Sequence, residues 1–378
     1  MRYLSLFSGI EAASVAWLPL GWECVGVSEI EKFPCDLLKH HYPDVPNLGS
    51  VTEIIEAQIK ALGHIDIVVG GFPCQDLSVA GKRKGLKNED GSNTRSGLFY
   101  DAMRIVRWSG ARYCLLENVP GIYSSNGGRD FAAMVGEILN TEFDLPRAGW
   151  RNTGVAASEK GLLEWVTLDA QYFGVPQRRR RMFALADFGN WQDRPPLLFE
   201  QHSLQGHPAP RQKKGQDVTE TAGTLSANAG GLNRPAGNAV AQVASGKQTI
   251  GTLMANAGTN QWLGNQEALS GDYHILQPAY AIAENTIGRK DENGGNGTGY
   301  SENTCYTLNA TGVHGVANKM AVRRLTPVEC EKLQGFLPGY TKLNDKTAES
   351  PRYKALGNSM AVPVMRWIAE RINMVNSL

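Results

Sequence analysis

Short apolar runs alternate with amphipathic stretches along the first 140 residues of the chain. The apolar runs have the length of buried strands, whereas the amphipathic stretches have the apolar spacing of helices that pack on one face. The predicted strands are 3–7, 23–28, 65–69 and 113–116, and the predicted helices are 12–20, 33–41, 98–108 and 130–139. Strands in alternation with helices favour an α/β fold on a mostly parallel sheet, which binds ligands at the carboxyl ends of its strands.

This alternation stops between residues 190 and 319, where Gly, Asn, Thr and Ser dominate. The phrase AGTLSANAG at 222–230 recurs as IGTLMANAG at 250–258, and a looser copy, CYTLNATG, occupies 305–312. Repeated Thr-Leu units bounded by Gly and Asn turns predict the short strands or loops of a second, smaller domain. A low-complexity spacer is the alternative interpretation.

Length and charge restrict the classes of function. A chain of 378 residues with 42% apolar content is long enough for two domains. The formal net charge of +1 excludes a uniformly basic surface, so a nucleic-acid partner has to be held by local basic clusters. Two such clusters occur, at 82–84 and 178–181. Solvated surface is the alternative for both.

The six cysteines form no Cys-x-x-Cys pair, and no histidine lies at zinc-binding spacing from them. We therefore expect neither a metal site nor a disulfide framework. The N-terminal apolar run is broken too early for a secretion signal, and no apolar run reaches membrane-spanning length. These features predict a soluble cytoplasmic protein without membrane contact.

Cys74 stands in the turn Gly-Gly-Phe-Pro-Cys-Gln, directly after the predicted strand 65–69. A thiol at a strand end is a candidate nucleophile for covalent catalysis on an electrophilic carbon. The alternative is an inert buried cysteine, which is the usual fate of this residue type.

The first predicted strand ends in Phe7-Ser8-Gly9, and the second is followed by Glu29. A glycine before a helix lets backbone N–H groups approach a ligand, and an acidic residue after the second strand is placed to accept the hydroxyls of a ribose. The three-glycine dinucleotide fingerprint is absent, which favours a nucleoside with an amino-acid tail over a pyrophosphate cofactor. A helix-capping carboxylate is an equally good interpretation of Glu29 alone.

Seven short motifs, in this order, resemble the motif series of the DNA cytosine-5 methyltransferases of bacteria and phages. They are Phe7-Ser8-Gly9, Glu29, Gly71-Phe72-Pro73-Cys74-Gln75, Glu117-Asn118-Val119, Gln177-Arg178-Arg179-Arg180-Arg181, Arg324-Leu325-Thr326-Pro327 and Gly357-Asn358-Ser359. An ordered set of this size is far more specific than any one motif. The resemblance covers residues 1 to about 190 and 320 to 375.

The resemblance implies a catalytic set of Cys74, Glu117, Arg179 and Arg181. Carbon 5 of cytosine is a poor nucleophile, so the thiolate of Cys74 would first add to carbon 6. Glu117 would protonate or hydrogen-bond ring nitrogen 3, Arg179 would contact the base, and Arg181 would support it. Plain phosphate binding is the alternative role of the arginines. The base would have to be flipped out of the duplex to be reached.

S-adenosylmethionine is the methyl donor that the resemblance implies. The implied cofactor-binding residues are Phe7, Ser8, Gly9, Glu29, Ser50, Phe72, Pro73, Asn358 and Ser359. Ser50 departs from the family, which usually has an aspartate there, and a weaker hydrogen bond to the adenine is expected from it. A helix over 366–374 is expected to pack beside the first strand.

The implied organisation is a Rossmann-like catalytic and cofactor-binding domain over 1–189, a target-recognition domain over 190–320, and a segment over 321–378 that completes the catalytic domain. We expect the partner to be double-stranded DNA, bound by a monomer, with residues 77–97 as a mobile strip that closes over the flipped base. Two or three copies of the Thr-Leu phrase suggest more than one sequence specificity. DNA methylation of this kind belongs to restriction–modification or to phage genome modification.

Three other functions fit parts of the sequence. A transfer-RNA cytosine-5 methyltransferase shares the chemistry of Cys74 and Glu117, but those enzymes have only a short insertion where this chain has more than a hundred residues. A catalytically silent DNA-binding module would be expected to lack one of the catalytic residues. A Rossmann oxidoreductase is disfavoured by the missing glycine fingerprint.

Overall fold

The structure is a computed structural model, and it describes residues 1–72, 98–199, 280–282, 300–302, 304–308, 310, 314–318 and 321–377. Three predicted features lie outside these residues: Pro73 and Cys74, the strip 77–97 with its basic cluster, and the first two copies of the Thr-Leu phrase. Most of the predicted target-recognition domain also lies outside them.

Eleven strands occur in the described part of the chain. They are β1 (Arg2–Leu6), β2 (Glu23–Ser28), β3 (Ile67–Gly71), β4 (Tyr113–Asn118), β5 (Thr153–Ser158), β6 (Gly161–Asp169), β7 (Arg180–Asp187), β8 (Tyr280–Ile282), β9 (Tyr300–Glu302), β10 (Gly315–Asn318) and β11 (Ala321–Arg324).

Eight α-helices occur in the same part. They are α1 (Ala12–Trp17), α2 (Lys32–His41), α3 (Glu56–Ala61), α4 (Leu98–Ser109), α5 (Arg129–Leu139), α6 (Pro327–Gln334), α7 (Glu349–Asn358) and α8 (Val362–Asn376). Among the described helices, none combines the length and the apolar character needed to cross a lipid bilayer.

The main sheet has seven strands in the order β2-β1-β3-β4-β7-β6-β5. The first four are mutually parallel, and β7, β6 and β5 add to them in antiparallel fashion. The four strands and four helices predicted over the first 140 residues are all present, with end shifts of a few residues. The prediction of an α/β fold on a largely parallel first half is therefore confirmed.

Alternate residues of β1 point to opposite faces of the sheet, which explains the two cores. Tyr3 is fully buried on one face with Trp17 and Met365, whereas Leu4 is fully buried on the other face with Phe99. The indole N–H of Trp17 donates to the carbonyl of Met365 at 2.8 Å. Helix α8 therefore covers one face of the sheet, and it extends the predicted 366–374 helix at both ends.

A second, antiparallel sheet has the order β11-β10-β8-β9, with three or four residues in each strand. After β9, Cys305 forms an isolated parallel bridge with Gln177 of the main domain. On the other side of the predicted boundary at 189, Leu197 and Leu198 are buried in the same core as Tyr3. The extents of the two domains remain predictions.

Candidate active site

The carboxyl ends of β1, β2, β3 and β4 meet at one edge of the main sheet, as parallel neighbours must. The loop after β1 turns sharply there, since Phe7, Gly9 and Glu11 all have positive φ, at 52°, 55° and 61°. A Cβ added to Gly9 would meet no atom within 4 Å, so the backbone of this loop faces open space.

Glu29 holds this loop in place. One carboxylate oxygen accepts the backbone N–H of Gly9 at 2.8 Å, and the other accepts the N–H groups of Ile30 and Glu31 at 2.8 Å each. The backbone N–H of Ser8 donates to the carbonyl of Ser28 at 3.0 Å. The loops after β1 and β2 are therefore fixed to each other by charge-assisted and backbone hydrogen bonds.

Two adjoining cavities open at this edge. The larger has a volume of about 660 Å³, and the predicted site residues that line it are Phe7, Gly9, Glu29, Ser50, Phe72, Glu117, Arg179, Arg181 and Asn358. The smaller has about 50 Å³ and is lined by Ser8 and Ser359, together with Glu11 and Met360. Both cavities share Phe7, Gly9, Gly71, Glu117 and Asn358. The structure thus brings together every predicted site residue that it describes.

Ser50 stands at the turn after Gly49, on the wall of the larger cavity. Its hydroxyl lies 2.8 Å from that of Thr52, and Ser28 fixes the turn by donating its hydroxyl to the carbonyl of Gly49 at 2.6 Å. The Ser50 hydroxyl thus already has a neighbouring hydroxyl as a partner.

Glu117 forms an ion pair with Arg181, with Nε 2.9 Å from Oε1. The strand register explains this contact: Glu117 lies opposite Phe183 in the antiparallel β4–β7 pair, and Arg181, two residues from Phe183, projects from the same face. Gly71 on β3 also lies beside Glu117, and a Cβ there would come within 3.0 Å of Glu117 Oε2. The carboxyl group is therefore held between an arginine and bare backbone.

Arg179 has a different environment. It is 3% exposed, and its guanidinium donates to the carbonyls of Leu308 at 3.2 Å, Gly357 at 3.0 Å and Ser359 at 2.6 Å. It joins the third Thr-Leu copy to the end of α7. Both arginines reach the cavity wall, but Arg181 contacts Glu117 whereas Arg179 fixes backbone.

Asn358 and Ser359 end helix α7 beside the cavities, where Asn358 lines both and Ser359 lines the smaller one. Besides Arg179, the buried side chain of Gln334 supports them, because its amide donates to the carbonyl of Leu356 at 2.7 Å. Asn358 remains exposed to the cavities. The C-terminal segment therefore meets the β1 loop at these cavities.

Glu11 is a site residue that the sequence reasoning missed. It is 1% exposed, lines the smaller cavity and caps α1 by accepting the N–H of Ser14 at 3.1 Å. Burial raises the pKa of its carboxyl group to about 7. An acidic residue two positions after Gly9, at the start of a predicted helix, was the available signal.

The chain belongs to the C-5 cytosine-specific DNA methylase family, whose model matches residues 1–374. The fold and the ordered residues at the strand ends agree with this membership, so the resemblance deduced from the motifs is confirmed. Within the described residues, no group of three His, Cys, Asp or Glu side chains is arranged to hold a metal ion.

Relatives with similar sequences come from bacteria and phages. The chain is 32% identical to the DNA N-6-adenine-methyltransferase of Escherichia phage P1, over 98% of this chain and 61% of that protein. It is 27% identical to the orphan methyltransferase M.SPRI of Bacillus phage SPR, over 98% of this chain and 97% of that protein. It is 26% identical to the type II methyltransferase M.HpaII of Haemophilus parainfluenzae, over 98% of this chain and 88% of that protein. The chain thus spans less than two thirds of the phage P1 protein.

Solved structures with the same fold include S. pombe Dnmt2 methyltransferase, with a TM-score of 0.56 and 15% identity over 100% of this chain and 99% of that chain. A putative DNA modification methyltransferase from an E. coli prophage has a TM-score of 0.54 and 17% identity, with both chains fully covered. At these identities the likeness shows a Rossmann-like methyltransferase fold.

Proposed function

We propose that this protein transfers a methyl group from S-adenosylmethionine to carbon 5 of cytosine in duplex DNA. The observation that carries the proposal is the Glu117–Arg181 pair, which lies beside the end of β3 and on the wall of a cavity of about 660 Å³. The next residues after β3 are Phe72, Pro73 and Cys74. Glu117 thus lies near the end of β4, and Cys74 follows the neighbouring strand β3 by three residues in the sequence.

The proposed reaction begins when the Cys74 thiolate bonds to carbon 6 of the flipped cytosine. The ring electrons shift toward carbon 5, where the bound donor would supply its methyl group, with the sulfur–methyl bond breaking and S-adenosylhomocysteine leaving. A base removes the carbon 5 proton, the bond from sulfur to carbon 6 breaks, and the thiolate is restored. Cys74 lies outside the described residues, so its role is supported by the motif and by family membership.

Glu117 is proposed to supply a hydrogen bond or proton to ring nitrogen 3, which makes carbon 6 more electrophilic during attack. Arg181 is proposed to hold that carboxyl group and to reach the base edge from the same cavity wall. Arg179 is proposed as a positioning residue, because its guanidinium donates to three backbone carbonyls.

The two cavities fit the methyl donor. The larger cavity has an acidic side chain, Glu29, at the place where a ribose is expected, and the smaller adjoins it through Phe7, Gly9 and Asn358. The bare backbone at Gly9 leaves room for a ligand against the loop. When bound, S-adenosylmethionine supplies an electrophilic methyl group, and these residues would hold its nucleoside and its tail.

Two other acceptors are outcomes of the test rather than parts of the proposal. The phage P1 relative is named for methylation of adenine N6, and about two fifths of that protein lies beyond the match. Transfer RNA is the substrate of the alternative considered from the sequence. An exocyclic amine is itself nucleophilic and needs no thiolate, so the thiol of Cys74 favours the cytosine ring.

The decisive experiment incubates purified protein and S-adenosylmethionine with duplex DNA or with transfer RNA, followed by mass spectrometry of the released nucleosides. We expect 5-methylcytosine from DNA only. Formation of N6-methyladenine, or of 5-methylcytosine from transfer RNA alone, would overturn the proposal. DNA that contains 5-fluorocytosine should trap a denaturation-resistant adduct, since the fluorine cannot leave as a proton does.

A further inference from the structure

The smaller cavity contains a buried carboxyl group that the proposed reaction does not use. Glu11 is 1% exposed and lies on the cavity wall with Gly9 and Asn358. Its backbone is in the left-handed region, at φ 61° and ψ 57°, which is unusual for a residue with a side chain. Glu11 is therefore an ionisable residue that is both buried and locally strained.

Hydrogen-bond donors converge on this carboxyl group. The Ser5 hydroxyl donates to Oε2 at 2.7 Å, and the hydroxyl and backbone N–H of Ser14 donate to Oε1 at 3.1 Å each. Since the single hydroxyl proton of Ser14 is used in this way, Tyr3 must donate to Ser14 across their 2.7 Å contact. The groups that donate to the carboxyl group favour its ionised form, although burial outweighs them and raises its pKa to about 7.

Among the described residues, the carboxyl group of Glu11 has no positively charged partner. In the segments that the structure describes, no ion pair includes Glu11, and the charged neighbour that acts on it is another carboxylate, Glu29. A buried charge is ordinarily paired, because burial without a counter-charge is costly. A cation that enters the cavity with a ligand would complete the arrangement.

We propose that Glu11 receives the α-ammonium group of the amino-acid tail of the methyl donor. This inference rests on the proposed function. The larger cavity holds Glu29 and Ser50, where the ribose and the adenine are expected, so the tail would extend past Phe7 and Gly9 into the smaller cavity. There the ammonium would meet Oε2, which accepts one hydrogen bond from Ser5 and has room for another.

The competing interpretation is that Glu11 only caps helix α1. A cap contributes to stability and acts on every ligand of the neighbouring site alike, whereas a tail contact acts only on ligands that have the ammonium group. The two roles are therefore separated by ligands that differ in the tail.

Calorimetric titration with S-adenosylhomocysteine and with 5′-methylthioadenosine, which lacks the amino-acid tail, makes this comparison without catalysis. We expect Glu11→Gln to weaken S-adenosylhomocysteine about 10-fold or more, and 5′-methylthioadenosine by less than about 2-fold. Equal effects on both ligands, or no effect on either, would refute the tail contact. Asp130→Asn is the control, since Asp130 is also a buried carboxylate bonded to a serine, Ser125, but does not line the cavity; it should leave the ratio of the two affinities unchanged.

A second measurement needs no variant and covers the case in which Glu11→Gln does not fold. Wild-type protein should bind S-adenosylhomocysteine at least about 10-fold more tightly than the analogue that lacks only the amino group. Equal affinities would refute the inference while leaving the proposed function intact. If wild-type protein binds neither S-adenosylmethionine nor S-adenosylhomocysteine, the proposed methyl donor itself is wrong.

Discussion

Arg181 and Glu117 form an ion pair across two antiparallel strands, with 2.9 Å between Nε and Oε1. Their side chains are 18% and 12% exposed, so the pair is largely shielded from water while it still faces the cavity. The geometry follows from one diagonal step in the β4–β7 register. It places both side chains on the wall of the larger cavity.

Glu117→Gln should lower the rate of methyl transfer about 100-fold or more, because an amide cannot supply the proton that a carboxyl group does. DNA affinity should remain within about 2-fold, since the role is chemical rather than adhesive. Single-turnover kinetics and DNA-binding titrations measure the two quantities. A variant with an unchanged rate would remove Glu117 from the proposed reaction.

Arg181→Ala should lower the same rate about 10- to 100-fold, with Arg181→Lys between it and the wild type, because lysine keeps the charge but loses the fixed geometry. Arg107→Lys is the matched control, since Arg107 also pairs with a glutamate, Glu137, on helices away from the cavity. Comparable losses in the two lysine variants would indicate a general effect on folding.

Cys74→Ser should abolish methyl transfer and leave the affinity for S-adenosylhomocysteine nearly unchanged. The hydroxyl is a much weaker nucleophile at neutral pH, and the proposed donor site is formed by other residues. Methyl release into DNA and calorimetric titration check the two halves of this expectation. Methylation by the Cys74→Ser variant at the wild-type rate would contradict the covalent route.

Gly71→Ala should reduce the rate without unfolding the protein. The added Cβ would lie 3.0 Å from Glu117 Oε2 and 3.1 Å from Met360 Cε, which displaces the carboxyl group. Gly26→Ala is the control, because its Cβ would meet side-chain atoms of Leu4 and Leu62 at 3.2 Å, at a similar degree of crowding but away from the cavities. Kinetics and thermal melts of both variants distinguish displacement of Glu117 from loss of stability.

Arg179→Ala should lower the free energy of unfolding by roughly 3–5 kcal/mol, because buried backbone carbonyls lose their charged donor. Arg178→Ala, one residue earlier in the same basic run but exposed, should change it by less than about 0.5 kcal/mol. Denaturant unfolding measures both. A small effect at Arg179 would contradict its positioning role.

Glu11 should make stability depend on pH. Burial raises the pKa of its carboxyl group to about 7 in the folded protein, so folding favours the protonated form. The stabilisation from Glu11 is fully present below the pKa of the unfolded chain, 4.5, and is lost as the pH rises through about 7. Across this window the free energy of unfolding should fall by about 3 kcal/mol. The difference in unfolding free energy between wild type and Glu11→Gln isolates it, and should fall from pH 5 to pH 8. A constant difference would show that Glu11 does not titrate in this range.

The alternation of strands and helices could be predicted from the first 140 residues because parallel strands are buried on both faces and appear as compact apolar runs. Strand β5 escaped prediction because it lies at the sheet edge, where its alternate residues are exposed and its sequence, Thr-Gly-Val-Ala-Ala-Ser, is only weakly apolar. The helix α3 is only six residues long, too short for its spacing to stand out.

The motifs predicted which residues line the cavities, but not which groups each of the two arginines contacts. Two arginines two positions apart in one motif gave no indication that Arg179 would bind carbonyls and Arg181 a carboxylate. That division depends on the approach of Leu308, Gly357 and Ser359, which are distant in sequence. Glu11 escaped notice because burial of a charged residue cannot be deduced from its immediate neighbours.

The guanidinium of Arg179 bonds to residues 178 and 180 positions further along the chain, at Gly357 and Ser359. During synthesis, these carbonyls are therefore added long after Arg179 itself. A nascent chain that ends before Gly357 has the β1 loop and Glu117, but it lacks Asn358 and Ser359, which line the smaller cavity with them. Assembly of the proposed site is therefore delayed until translation has passed residue 359.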